Sequence, residues 1–143
     1  MFYDRFESRV ETWRDFRQLL EVCSDPIAQV IEFWNRAPIS TRTCDPYDKA
    51  AWPGPWELLD ENEYCDFGKV LAIYYTLSLT DRFRDEFFEI SVCLDRKKQQ
   101  QYYLLYVGDQ AIGYYYDRAV DRKNLPLTLD SLANYVLASN DYH

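Results

Sequence analysis

The chain has 143 residues, of which 48% are hydrophobic and 17% aromatic. This length is typical of one domain that buries its own core, and the apolar content is too high for a disordered chain. With 16 basic and 24 acidic residues the net charge is -8, so the field of the molecule repels polyphosphate and anionic lipid. No apolar stretch approaches the roughly 20 residues that cross a bilayer, and the first residues form no signal peptide. We therefore expect a cytosolic protein that binds neither nucleic acid nor a membrane.

The four cysteines are far apart in the sequence: Cys23, Cys44, Cys65 and Cys93. They form no Cys-x-x-Cys pair and no cluster with histidine, so the sequence predicts no metal site, no redox dithiol and no cofactor. The only histidine is His143, the last residue. Because chain ends tend to fray, this position is poorly suited to a catalytic base.

Residues 1–37 are predicted to form a helical hairpin. Apolar residues recur at helical spacing along the first helix, and charged residues fill its other face. Ser24-Asp25-Pro26 is a typical helix start, with a capping side chain before a proline at the first helical position. The buried stripe of the second helix contains Ile27, Val30, Ile31 and Trp34.

Residues 38–60 combine prolines with aromatic side chains, which predicts an ordered loop and then a short helix that begins at Pro55. Trp52 and Trp56 supply large apolar surfaces that can hold this loop against the core. The alternative is that the two rings form the lip of a groove. Both are therefore candidate binding residues.

Residues 65–80 are predicted to be the central helix of the domain. Apolar side chains occupy almost its whole circumference, so the helix must be buried. Asp66 near its start complements the positive end of the helix dipole.

Residues 87–117 are predicted to form a three-stranded antiparallel meander. Phe88 to Leu94 alternates with period two, and two β-rich runs follow on either side of Gly108-Asp109, which suits a tight hairpin turn. These runs are Tyr102 to Val107 and Gln110 to Tyr116.

Residues 127–138 are predicted to form a short closing helix. The prediction rests on the helical spacing of Leu129, Leu132, Ala133 and Val136. The expected fold class is α+β: N-terminal helices and a buried central helix packed on the three-stranded sheet, all in one domain of residues 1–143.

Six tyrosines fall on the last two predicted strands and therefore point to both faces of the sheet. One interpretation places them in the core and at half-buried positions, because tyrosine suits such strands. The other makes the outer face a contact surface, because tyrosine is enriched at interface centres. The candidates are Tyr102, Tyr103, Tyr106, Tyr114, Tyr115 and Tyr116.

Cys65 stands where nucleophiles are often found, since the start of a helix stabilises a thiolate and a developing oxyanion. The stretch Trp52-Pro53-Gly54-Pro55-Trp56-Glu57-Leu58-Leu59 precedes Cys65-Asp66, and strands follow. This order, over residues 52–117, resembles the transglutaminase-like cysteine hydrolases. The resemblance implies Cys65 as nucleophile, Asp66 as its usual neighbour and Asp117 as the acid that orients a histidine.

The histidine of that family has no counterpart in this chain. Where it would open the second strand, the sequence has Gln99-Gln100-Gln101-Tyr102. None of these side chains can take a proton from a thiol near neutral pH. Cys65 can also be a small buried residue that packs a helix start. The sequence favours this interpretation over catalysis.

A second resemblance covers about residues 6–126 and is to a small family of cyanophage myovirus proteins to which no activity is attached. It implies a phage context: a virion accessory, an assembly factor or a host-takeover protein in the cytoplasm of the infected bacterium. The segments that carry it are Phe6 to Trp13, Ser24 to Ile27, Asp45 to Asp48, Trp52 to Leu58 and Tyr64 to Phe67.

Three functions are consistent with these observations. The first is a non-catalytic interaction or structural domain whose partner is a virion or host protein, with self-association left open. The second is a thiol hydrolase or acyltransferase that uses Cys65. The third is an acidic decoy of a nucleic-acid-binding protein, which the scattered carboxylates favour least.

Overall fold

The structure is a computed structural model that describes residues 1–40 and 44–137. Within these residues, helices come first in the chain and strands follow. The helices are α1 (Phe6–Leu20), α2 (Pro26–Asn35), α3 (Pro55–Glu61) and α4 (Asp66–Ser78). The strands are β1 (Phe88–Asp95), β2 (Gln100–Val107), β3 (Gln110–Ile112), β4 (Val120–Asp121) and β5 (Leu129–Leu137).

The strands form one antiparallel sheet in the order β4-β3-β2-β1-β5. β1 and β2 pair over their full length, from Phe88 opposite Val107 to Asp95 opposite Gln100. β2 turns into β3 through Gly108, whose φ of 56° lies in the left-handed region that a tight hairpin uses. The sheet is thus built around two long inner strands, and α4 packs on β2.

α4 is enclosed on almost every side. Of its residues only Asp66 and Lys69 are not buried, because α2 and α3 cover one side and the sheet covers another. Its aromatic rings meet the sheet edge to face, with 5.3 Å between the ring centroids of Tyr74 and Phe88 and 5.3 Å between those of Phe67 and Tyr103. Each fully buried side chain of this size contributes about 1.5–3 kcal/mol, so α4 organises the core.

One hydroxyl group joins three helices inside this core. The indole N–H groups of Trp13 in α1 and Trp34 in α2 each donate to Oγ1 of Thr76 in α4, both at 2.9 Å. The same hydroxyl donates to the carbonyl of Ala72 at 2.6 Å. Both indoles are almost completely buried, so Thr76 satisfies two donors that water does not reach.

Arg9 ties α1 to the end of α3. Although its side chain falls on the charged face in the sequence, it is only 8% exposed. Its guanidinium donates to the carbonyls of Leu59 and Asp60 in the last turn of α3. These carbonyls carry the negative end of the helix dipole, which a cation stabilises.

The α+β class is confirmed, but the sheet has five strands instead of the predicted three. β4 is added at one edge and β5 at the other. The predicted closing helix over residues 127–138 is wrong, because Leu129–Leu137 form β5 and pair antiparallel with β1.

A β-bulge explains why the sequence of β5 has the spacing of a helix. Ala133 lies opposite Val92 and Ser131 lies opposite Cys93, so the intervening Leu132 is an extra residue that interrupts the alternation. Leu132, in the bulge, is 50% exposed, and Val136, opposite Glu89, is 62% exposed.

β3 is shorter than predicted. It ends at Ile112 and not at Tyr116, because Gly113 has a φ of 114° that L side chains rarely adopt. A Cβ atom at Gly113 would also collide with the carbonyl of Tyr103. The three tyrosines predicted on this strand therefore lie in the loop that follows it, namely Tyr114, Tyr115 and Tyr116.

The chain end beyond Leu137, with its lone histidine, lies outside the described residues. In the part that is described, no helix has the length and apolar character needed to cross a membrane.

Replacing Thr76 with valine should destabilise the fold by about 2–4 kcal/mol, because two buried indole donors lose their acceptor at once. Thr76→Ser keeps the hydroxyl and loses only a methyl group, so it should cost clearly less. Equilibrium urea unfolding of the wild type and both variants measures the difference. Equal stability of Thr76→Val and the wild type would show that the shared hydroxyl does not support the core.

Candidate functional site

The thiol of Cys65 caps the N-terminus of α4. Its Sγ accepts from the backbone N–H of Gly68 at 3.2 Å and from the N–H of Cys44 at 3.4 Å. Earlier in the chain, the Ser40 N–H donates to the Tyr64 carbonyl beside the helix entrance at 2.9 Å. The Cys65 residue is 8% exposed.

These donors favour the ionised form of the thiol. Hydrogen bonding from the Cys44 side chain, and then from the backbone N–H groups of Cys44, Gly68 and Phe67, lowers the pKa of Cys65 to about 5, against the opposing effect of burial. An ordinary cysteine has a pKa of about 8.5. Cys65 is therefore a thiolate at neutral pH, as the N-terminus of a helix also favours.

Tyr103 and Gln101 of β2 lie on the sheet face that is turned towards the head of α4. Burial raises the pKa of Tyr103, and the neighbouring Tyr47 and Cys65 raise it further. Gln101 Nε2 lies 3.4 Å from Tyr47 Oη. A glutamine and a protonated tyrosine thus occupy the region where the resemblance places a histidine, and neither is a general base near neutral pH.

Asp117, the residue that the resemblance aligns with the orienting acid, is not brought to the thiol by any described contact. It is exposed and forms an ion pair with the neighbouring Arg118 at 3.0 Å. Its assignment as a catalytic residue stays a prediction.

A cleft of about 380 Å³ opens beside the head of α4. Its floor is apolar and includes Val70 and Ile73 of α4 together with Ile31 of α2. Its polar lining includes Asp66 and Lys69. We call it the tyrosine cleft, because its aromatic lining consists of Tyr102, Tyr103, Tyr114, Tyr115 and Tyr116.

The loop after β3 forms the outer wall of the tyrosine cleft. Asn35 of α2 holds it by donating to the Tyr116 carbonyl at 2.8 Å. Arg118 Cζ lies 4.0 Å from the ring centroid of Tyr115. On the other side, Lys98 Nζ donates to Tyr114 Oη at 3.2 Å. The rim of the cleft therefore carries Lys98 and the ion pair between Arg118 and Asp117.

The edge of β2 is open along the tyrosine cleft. β3 pairs only with residues 105–107 of β2, so within the described residues Gln100 to Leu104 pair with β1 alone. The proximity of Gly113 places the Tyr103 carbonyl on the side of β2 that faces the loop after β3, where Gly113 covers it. Because backbone groups two residues apart in a strand point the same way, the N–H and C=O of Gln101 also point there.

Three other predicted binding residues lie elsewhere. Trp52 packs on Phe67 and Tyr135, with ring centroids 5.2 and 4.8 Å away. Trp56 is 49% exposed and meets Trp13 edge to face at 5.4 Å. The third, Tyr106, lies on the other face of the sheet, where Arg122 Cζ is 3.7 Å from its ring centroid.

The sequence missed Cys44, Tyr47 and Lys69 as members of the site. Cys44 lies 21 residues before Cys65, a separation that matches no metal or redox motif. Tyr47 falls in the proline-rich loop, and Lys69 reads as an ordinary polar interruption of a buried helix. Only the fold brings Cys44 and Tyr47 to the head of α4, whereas Lys69 is itself near the start of that helix.

The fold, a buried helix headed by a cysteine and followed by an antiparallel sheet, is similar to that of a transglutaminase-like protein of known structure. The solved structure of calcium-bound LapG from Legionella pneumophila, a transglutaminase-like cysteine protease, matches 92% of this chain and 76% of its own with a TM-score of 0.67. The sequence identity is 13%, so the likeness shows the fold alone. No protein-family model and no curated protein matches the sequence, and the cyanophage resemblance stays a prediction.

Calcium in LapG raises the question of a metal site here. In residues 1–40 and 44–137 no three histidine, cysteine or acidic side chains converge as metal ligands would.

The pH dependence of Cys65 alkylation should report the ionisation of its thiol. We expect the rate to rise with a midpoint near pH 5 in the native protein and near pH 8.5 in unfolded protein. Cys44→Ala should move the native midpoint upward because it removes the largest stabilising contact, whereas Cys44→Ser retains a donor and should move it less. Iodoacetamide labelling with peptide-resolved mass spectrometry measures these midpoints. A native midpoint near 8.5 would contradict the description of the thiol.

Proposed function

We propose that this protein is a non-catalytic peptide-binding domain on a transglutaminase-like fold. The observation that carries the proposal is the open edge of β2 beside the tyrosine cleft. The occupant is an extended segment of a protein partner, which we infer to be a virion or host protein in a phage-infected bacterium.

The backbone supports this proposal through hydrogen bonding. An extended peptide can add to an open sheet edge as a further strand, and its main-chain groups then bond to the strand beside it. Among the described residues, no strand pairs with Gln101 or with the N–H of Tyr103 on the side of β2 that faces the cleft. Such an edge also attracts unwanted strands, so a cleft wall that restricts access to it serves specificity.

The side chains of the cleft support the same class of ligand. A peptide laid along β2 would place one apolar residue against the floor formed by Val70 and Ile73. The tyrosines offer large contact area at low conformational cost. An acidic residue next to the apolar anchor would meet Lys98 at the rim. The ligand is therefore an extended peptide with an apolar anchor and an adjacent carboxylate.

Random linear peptides selected against the immobilised protein test this proposal. We expect the selected peptides to carry the apolar and acidic pair, and to lose about tenfold or more in affinity, equivalent to ~1.4 kcal/mol or more, with Tyr115→Ala. Gln101→Pro should have a similar effect, because proline removes the edge N–H while leaving the β1 side of the ladder intact.

The matched control is Tyr3→Ala, which removes a tyrosine that is 95% exposed and outside the cleft. Its affinity should equal that of the wild type. Hydrogen exchange adds an independent readout, since a bound strand should protect the N–H groups of Gln101 and Tyr103. Equal binding of the selected peptides to the wild type and all three variants would refute the proposal. A selection that yields no binding peptide would refute it as well. A wild-type dimer that Gln101→Pro abolishes would instead identify a second copy as the occupant.

A second candidate function is a Cys65-dependent acyltransferase or hydrolase, which the thiolate at the head of α4 favours. The thiolate can attack an acyl carbonyl directly, forming a sulfur–carbon bond as the leaving group departs with its electron pair. Release of the acyl group by water needs a base, and neither Gln101 nor Tyr103 provides one.

An activated ester separates these two steps. With p-nitrophenyl acetate we expect one equivalent of nitrophenolate and one acetyl group on Cys65, followed by little turnover. Cys65→Ser retains a capping side chain and should show no burst, whereas Cys93→Ala should behave as the wild type. Continued turnover that requires Cys65 would make the protein an enzyme and displace the non-catalytic proposal.

A further inference from the structure

Two sulfur atoms meet over a glycine at the head of α4. A Cβ atom built on Gly68 would lie 3.5 Å from Sγ of Cys65 and 4.0 Å from Sγ of Cys44, so both sulfurs occupy the space above the same residue. The backbone N–H of Cys44 donates to Sγ of Cys65 at 3.4 Å, and its thiol is hydrogen-bonded to the same atom. Each of the four cysteines carries a reduced thiol.

We propose that Cys44 and Cys65 are a hydroperoxide-sensitive pair that closes into an intramolecular disulfide, with Cys65 as the residue oxidised first. The form of cysteine that reacts with peroxide is the thiolate. Because a thiolate has already lost its proton, the pair needs no histidine to remove one. The inference does not depend on peptide binding or on acyl transfer.

The chemistry balances with hydroperoxide as the only oxidant. The Cys65 thiolate attacks one peroxide oxygen, the oxygen–oxygen bond breaks, and hydroxide leaves to give Cys65 sulfenic acid. The Cys44 thiol then attacks the Cys65 sulfur, a sulfur–sulfur bond forms, and water leaves. The two cysteines together lose two electrons, and one hydrogen peroxide is reduced to one hydroxide ion and one water molecule.

The roles follow from the surroundings of each sulfur. Cys65 accepts hydrogen bonds from Gly68 and Cys44, which is the environment of the ionised partner. Cys44 is half-buried and therefore more accessible than Cys65, and its thiol already contacts the atom it would attack. Cys93 offers a contrast, since it is buried on the other side of the sheet and burial raises the pKa of its thiol.

The disulfide would change the site in two ways. It would remove the negative charge from the head of α4, and it would fix the segment that leads to Tyr47, whose hydroxyl lies beside Gln101 at 3.4 Å. Oxidation would thus end any thiol chemistry of Cys65 and stiffen one side of the open β2 edge.

Treatment of the native protein with hydrogen peroxide at neutral pH tests the pair. We expect the number of titratable thiols to fall from four to two and the mass to fall by two hydrogens, with a proteolytic fragment that links Cys44 to Cys65. Cys44→Ala should stop at sulfenic acid, which dimedone traps on Cys65. Cys65→Ala should consume peroxide at least tenfold more slowly, whereas Cys23→Ala and Cys93→Ala should match the wild type.

Three results would overturn the inference. The first is a disulfide that joins other cysteines or two molecules. The second is equal peroxide consumption by the wild type and Cys65→Ala. The third is failure of the linked fragment to form although Cys65 is oxidised, which would show that Cys44 does not resolve the sulfenic acid. A dithiothreitol-reversible product distinguishes the disulfide from overoxidation.

Discussion

A helix without a polar face must be enclosed on every side, and α4 imposes this constraint on the rest of the molecule. Hydrophobic burial brings α2, α3 and β2 against it, but burial alone does not fix the orientation of the helices. The hydroxyl of Thr76 fixes it, because two indole donors from different helices converge on this oxygen. A buried donor without an acceptor is costly, so the helices can dock on α4 in few other arrangements.

The enclosure of α4 also determines the chemistry at its N-terminus. The first N–H groups of a helix have no partner within the helix, and here the Cys65 sulfur accepts from one of them. Because the folded pKa of about 5 lies below the unfolded value of about 8.5, the thiolate contributes stability fully above pH 8.5. That contribution is lost as the pH falls through about 5. The same interaction therefore caps the helix and activates the sulfur.

The sequence predicts the elements whose patterns are local and leaves out the contacts that cross the fold. The apolar circumference of α4 and the alternation in β1 are strong local signals, and both elements are where the patterns place them. β5 was predicted as a helix because one bulged residue gives an alternating strand the spacing of a helix. The pairing of this segment with β1 decides whether it is a helix or a strand. A short stretch of sequence contains no information about that pairing.

Part of the candidate site could also be predicted from the sequence. Cys65 could be found from its position at a helix start, and the tyrosines from their density, although Gly113 moves three of them from a strand into the cleft wall. Cys44 could not be found, since only the fold brings it to Cys65.

The arrangement at the head of α4 separates bond formation from turnover. A thiolate prepared by hydrogen bonds can attack an electrophile without help, but completing hydrolysis requires a group that moves protons in both directions near neutral pH. The described residues in the place of the family's histidine are a glutamine and a tyrosine whose pKa is raised by burial, and both keep their protons. Chemistry that ends with a new sulfur bond fits this site, and so does binding along an open strand. Neither process needs the histidine that the resemblance would supply, so the two proposals are compatible with the same set of residues.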